Sequence, residues 1–272
     1  MIEILSYGFM QRAFLAGIFV AVACAILGLF LVLRRDAMIG HGLAHVTFGG
    51  VALGLFLNTA PLAVALITAG LCSLIILRLK ERVRLSEDTS IGIFSSTGMA
   101  IGIILATVSG NFNVDLFGYL FGNILAIDTI EVGIAVALAA TVIIVLILFY
   151  QEILYQTFDP ESAQTSGIRI GVLDAVLAIL TSITVVIGMK VVGLLLVAAL
   201  LVIPSAAGLQ AAATFRQAMA IASLISVVSV IAGLLTAYYW NLPASGTIVL
   251  LTFFVFMVLW FVNYLKRTRM RS

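Results

Sequence analysis

His41 and His45 are the only histidines in the chain of 272 residues, and they stand four apart in Gly40-His41-Gly42-Leu43-Ala44-His45. A helix repeats every 3.6 residues, so positions i and i+4 lie on one face and both imidazoles can point into one cavity. Neutral imidazole is a good ligand for zinc, copper, nickel or iron(II). Polar side chains inside a membrane span are costly, and they mark either a pathway or a hydrogen bond to a neighbouring helix. Both readings fit the spacing alone. A third, the zinc-peptidase motif HExxH, needs a glutamate after the first histidine as general base. Gly42 occupies that position, so the pair can hold a metal but is poorly equipped to activate water.

The elements around the pair are apolar. Hydrophobic residues make up 63% of the chain and charged residues 10%, with a mean hydropathy of +1.27. Soluble domains carry about 25% charged residues, so the composition predicts a polytopic membrane protein. Apolar runs long enough for a ~30 Å hydrocarbon core occur at Ala13–Leu33, Ala37–Leu57, Leu62–Leu79, Ile91–Val108, Val132–Tyr150, Val172–Gly188, Val191–Ala213, Ala218–Tyr239 and Ile248–Leu265. The expected fold is all-α: one transmembrane helical bundle of about nine spans (eight to ten) covering residues 1–272. Gly42, Gly49, Gly50 and Gly54 thin the histidine-bearing span on its other faces, which favours close helix packing.

Charge orients the bundle. With the N-terminus outside, the inner side holds Arg34, Arg35, Arg78, Lys80, Arg82, Arg84, Arg169, Arg216, Lys266, Arg267, Arg269 and Arg271, and the outer side only Arg12 and Lys190. That asymmetry follows the positive-inside rule and places the C-terminus in the cytoplasm. Ala13–Leu33 lacks a basic leader region and a small-residue cleavage site, so it reads as a retained span. At ~1.5 Å per residue, His45 lies ~15 Å along the helix from Arg35, near the bilayer midplane. Cys24 and Cys72 sit in separate apolar runs and read as packing residues. Lys80, Lys190 and Lys266 all lack the glycine pattern of a phosphate-binding loop. With no long extramembrane segment either, ATP and solute capture must come from other polypeptides. No nucleic-acid partner is expected.

Several stretches between spans carry signals. Arg78 to Ser90 reads as a short basic inner loop, with Asp88 or Ser90 as cap of the next helix. Asn111 to Ile127 mixes aromatic and polar residues and reads as an outer interfacial or re-entrant segment. In Phe158-Asp159-Pro160-Glu161 through Gly167, Asp159 fits an N-cap, Pro160 the first helical position, Glu161 the first turn and Gly167 the stop. A two-turn inner helix is expected there, either docking on a partner or acting as a plain connector. Pro204-Ser205 falls mid-span, where proline kinks or breaks a helix. Such a break either faces a transport pathway or only aids packing. Asn241 to Gly246 reads as an outer turn. Asp115, Asn123, Asp128, Lys190 and Ser205 are further candidates for contact with an ion.

These residues together resemble the permease subunits of the zinc, manganese and iron ABC importers, the ABC-3 metal permeases. The resemblance runs from about Phe9 to Leu265. It is carried by Leu31-Val32-Leu33-Arg34-Arg35 leading into Gly40 to His45, by Leu120-Phe121-Gly122-Asn123-Ile124-Leu125, by Phe158 to Gly167, and by Gly193 to Pro204 with Leu242 to Leu250. It implies a type II importer fold and a homodimer. The implied partners are two cytoplasmic ATPase subunits and an extracytoplasmic metal-binding protein. It also implies that Asp159 to Gly167 docks into the ATPase and that His45 is the pathway histidine. His41 stands where many members, especially manganese ones, have aspartate. Imidazole in place of carboxylate shifts the expected cargo toward zinc, with manganese or iron(II) as the alternative. The cargo is a transported ion and no permanent cofactor is expected. An ATP-independent carrier or channel, or a membrane peptidase, are the rival classes.

Overall fold

The structure is a computed structural model that describes residues 7–83, 86–108 and 127–269. All regular elements among them are helices: α1 Gly8–Leu33, α2 Met38–Phe56, α3 Pro61–Val83, α4 Glu87–Val108, α5 Thr129–Leu148, α6 Tyr150–Phe158, α7 Pro160–Thr165, α8 Ile170–Val192, α9 Leu194–Ala211, α10 Phe215–Trp240 and α11 Ala244–Arg269. Among the described residues nine helices are long and apolar enough to cross a membrane, the number read from the apolar runs. The expected interfacial segment Asn111 to Ile127, with Asp115 and Asn123, lies almost wholly outside the described residues.

α1 and α2 are the most buried spans, and α11 the least. α1 packs on α5, α9 and α10; α2 lies against α3 and α4, with α8 behind it. Small residues let α2 approach both of its main neighbours. A Cβ on Gly49 would stand 2.5 Å from the Gly98 carbonyl oxygen of α4. One on Gly50 would stand 2.8 Å from Ala65 Cα of α3. Between spans there is no hydrophobic drive, since lipid is as apolar as leucine, so such backbone contact is what binds helices. Hydroxyls add to it: Ser205 of α9 donates to the Ala25 carbonyl and Ser226 of α10 to the Ala21 carbonyl, each at 3.1 Å.

Local expectations hold or shift for identifiable reasons. α9 runs unbroken through Pro204, which is buried; the proline does not break the helix. Lys190, expected in an outer loop, lies in the last turn of α8 and pairs with Glu131 at 3.3 Å. The α8–α9 connection is Gly193 alone, at φ +93°, a left-handed conformation that side chains disfavour. α4 starts a turn earlier than expected. Neither Asp88 nor Ser90 caps it; Ser86 Oγ accepts from Thr89 N at 3.2 Å. A hydroxyl just before the first turn competes best for the orphan N–H groups. The span ending near Tyr150 is followed by a separate amphipathic helix, α6, after a break at Phe149.

Candidate functional site

α2 brings the two histidines together. Their Nε2 atoms are 3.3 Å apart, and the rings meet edge-on with centroids 4.8 Å apart. His41 is exposed on the single chain and His45 is half-buried. Gly40 and Gly42 flank His41 and are buried: Gly40 faces Leu201 of α9 and Gly42 faces Ile91 of α4. The helix is therefore held from its small faces, and the imidazole face is left open. Thr47 donates to the Leu43 carbonyl at 2.7 Å and so is satisfied within its own helix.

The 3.3 Å separation admits one N–H···N hydrogen bond between neutral rings. It also matches two corners of a tetrahedral zinc site, where Zn–N bonds of ~2.0–2.1 Å put the nitrogens about 3.3–3.4 Å apart. His45 Nδ1 is buried and has no hydrogen-bond partner among the described residues. Among the described residues, then, no acceptor fixes its tautomer, as one commonly does for metal-binding histidines. Among the described residues no group of three or more His, Cys, Asp or Glu side chains could hold a metal ion. The pair by itself supplies two ligands, half of what tetrahedral zinc takes.

The expected inner helix is present as α7. Asp159 Oδ1 accepts from Ser162 N at 3.0 Å and Pro160 takes the first position. Hydrogen bonds from Ser162, through its hydroxyl and its backbone N–H, hold the Asp159 carboxyl below its ordinary value. Gly167 stops the helix at φ +86°, and Ile168 N reaches back to the Ala163 carbonyl at 3.1 Å. Ala163 is buried beneath, while Phe158, Asp159, Pro160 and Glu161 are exposed. Phe158 leaves 65% of its surface free. Pro204 and Ser205 are buried where α9 meets α1. Asp128 caps α5 in a reciprocal box with Glu131.

One cluster went unremarked in the sequence. Arg34 pairs with Asp174 of α8 through Nη2, and its Nε lies 3.4 Å from Asp36. Lys80 of α3 also reaches Asp36, at 3.1 Å, and Gln156 of α6 donates to Asp174 at 2.5 Å. Arg34, Asp36 and Asp174 expose 12–14% of their side chains and Gln156 is buried. The available signal was Asp174 itself, a carboxylate two residues inside an apolar run, where charge needs a partner.

The chain matches the ABC 3 transport family over residues 6–263. It is 34% identical over 261 residues to the high-affinity zinc uptake system membrane protein ZnuB of Haemophilus influenzae, covering 95% of this chain and 97% of that protein. It is 31% identical over 261 residues to the manganese transport system membrane protein MntC of Halalkalibacterium halodurans, covering 96% of this chain and 89% of that one. Among solved structures, a chain of PsaBC from Streptococcus pneumoniae in complex with Fab superposes with a TM-score of 0.88 at 29% identity, covering 98% of both chains.

Proposed function

Because this chain belongs to the ABC 3 transport family, and is a membrane permease subunit of a metal importer and not itself an enzyme, we propose that its cargo is zinc and that His41 and His45 form a transient waystation for the ion. The observation that supports this is the 3.3 Å convergence of two imidazole nitrogens on the open face of α2. An all-nitrogen pair suits zinc; a harder ion such as manganese favours carboxylate and water. Manganese or iron(II) is the second reading, and the manganese transport names among the relatives favour manganese of the two.

In the proposed assembly, two copies of the chain pair about a two-fold axis, and each offers its histidines, giving the four nitrogens of a tetrahedral site. Each copy supplies only half of the site, so parting of the two halves releases the ion, as conduction requires. The N-terminus lies outside and the C-terminus in the cytoplasm of a prokaryotic cell, with all 272 residues forming one permease domain in the cell membrane. An extracytoplasmic protein delivers the ion. Cytoplasmic ATPase subunits grip α7, where exposed Phe158 and the capped turn from Asp159 to Gly167 present a rigid, partly apolar knob.

Uptake of radiolabelled zinc and manganese separates the readings. Cells expressing the chain with its ATPase and binding protein should take up zinc, and excess unlabelled manganese should compete poorly. Preferred manganese uptake would overturn the zinc assignment. Uptake that persists without the ATPase would instead indicate an ATP-independent carrier.

A further inference from the structure

The cluster around Arg34 occupies a singular place in the chain. Gln156 lies three residues before Asp159, the cap of α7, and Asp174 lies seven residues after Gly167, its stop. Both ends of the ATPase-facing helix are therefore tied to the same carboxylate, one through the chain and one through the Gln156–Asp174 hydrogen bond. On the other side, Arg34 and Asp36 sit in the turn between α1 and α2. Asp36 precedes Met38, the first residue of α2, by two residues, and His41 by five. Arg35 holds that turn in a left-handed conformation at φ +65°, which non-glycine residues seldom adopt.

Simple adhesion does not require charges here. A buried ion pair is usually no more stabilising than well-packed apolar side chains of similar volume. What it provides is direction and a discrete alternative arrangement. Two further features fit a joint that rearranges. Arg34 Nη1 and Gln156 Oε1 are buried without hydrogen-bond partners among the described residues. Beside Arg34 lies a cavity of about 30 Å³ whose lining also includes Asp36, Lys80 and Asp174, room for a water molecule. Apolar side chains, among them Leu31, Ile39, Ile76 and Leu177, complete its wall.

We propose that Arg34, Asp174 and Gln156 form the joint that transmits movement of α7 to the histidine-bearing helix α2. They are positioning residues: none touches the ion, and they act through the start of α2. When the ATPase shifts α7, Asp174 and Gln156 move with its two ends. Arg34 follows Asp174 and carries the α1–α2 turn, which resets the axial position of His41 and His45. This rests on the importer reading above.

The test uses the assembled transporter, this chain with its ATPase and binding protein, in proteoliposomes loaded with ATP-regenerating medium. Zinc and manganese uptake and ATP hydrolysis are measured on the same vesicles. Asp174→Asn and Gln156→Leu should leave hydrolysis nearly unchanged and lower the metal imported per ATP by about tenfold, the scale of an ordinary coupling energy. Reversing the pair, Arg34→Asp with Asp174→Arg, should recover part of that ratio. A purely structural role would lower uptake and hydrolysis in proportion with the amount of assembled transporter, leaving the ratio intact, and that result overturns the proposal. If Asp174→Asn does not assemble, Gln156→Leu, which removes only the amide, decides. Wild-type uptake indifferent to ATP would overturn the importer reading, and the joint with it.

Discussion

His41 Nε2 and His45 Nε2 stand 3.3 Å apart on adjacent turns of α2. Two imidazoles held at that distance can share one ion through both nitrogens, and removal of either leaves a single ligand. His41→Ala and His45→Ala should each lower zinc uptake by about tenfold or more, at unchanged membrane abundance. His41→Asp should raise manganese uptake relative to zinc, since carboxylate oxygen favours the harder ion. Unaltered zinc uptake in both alanine variants would remove the waystation and leave the permease assignment standing.

Medium pH should act through the imidazoles and not through the α7 cap. Ligation needs neutral histidine, so zinc uptake should fall as the medium is acidified enough to protonate the pair. Asp159 behaves differently. Its carboxyl is held below the ordinary value of 3.8 by hydrogen bonds from Ser162. The cap's contribution is therefore complete above that ordinary value and is lost only as pH falls through the lower folded one. A pH titration of ATPase association in detergent should be flat over the window in which uptake declines.

Exposed Phe158 should act as an anchor for the ATPase. A few buried anchors carry most of an interface's energy, and truncation of one costs about 2 kcal/mol or more. Phe158→Ala should weaken co-purification of the ATPase while leaving the thermal unfolding of the isolated chain unchanged. Equal co-purification would place the docking contact elsewhere.

The contact between α2 and α4 should be intolerant of a single methyl. Alanine has the better helix propensity by about 1 kcal/mol. A Cβ at Gly49, however, would stand 2.5 Å from the Gly98 carbonyl, and overpacking costs about 1–3 kcal/mol. Gly49→Ala should lower the unfolding temperature. Gly92→Ala, on the same pair's open side with nothing within 4 Å of the added Cβ, should not. Equal unfolding temperatures would contradict the backbone contact.

Much of the molecule was legible from short-range rules. Apolar run length, set by bilayer thickness, located nine spans. The i, i+4 spacing put His41 and His45 on one face, and the order Asp159, Pro160, Glu161, Gly167 marked α7 because each residue type satisfies a different end of a helix. The departures were also local. Ser86 displaced Asp88 and Ser90 as cap, and Lys190 stayed helical because Glu131 faces it across the α5–α8 contact. Pro204 did not break α9, where buried packing and Ser205 hold the helix to α1.

By itself, then, the sequence determined the span count, the shared face of the two histidines, the punctuation of α7 and the resemblance that identified the family. These depend on residue type at fixed spacing along one helix, and periodicity carries that information. Only the tertiary structure decided that Arg34, Asp36, Lys80, Gln156 and Asp174 meet. Their partners lie up to 140 residues apart, and no periodicity encodes a contact between helices. Which charge sits beside which is set by how α1, α2, α3, α6 and α8 pack, and that packing follows from small residues and side-chain shape summed over the whole bundle.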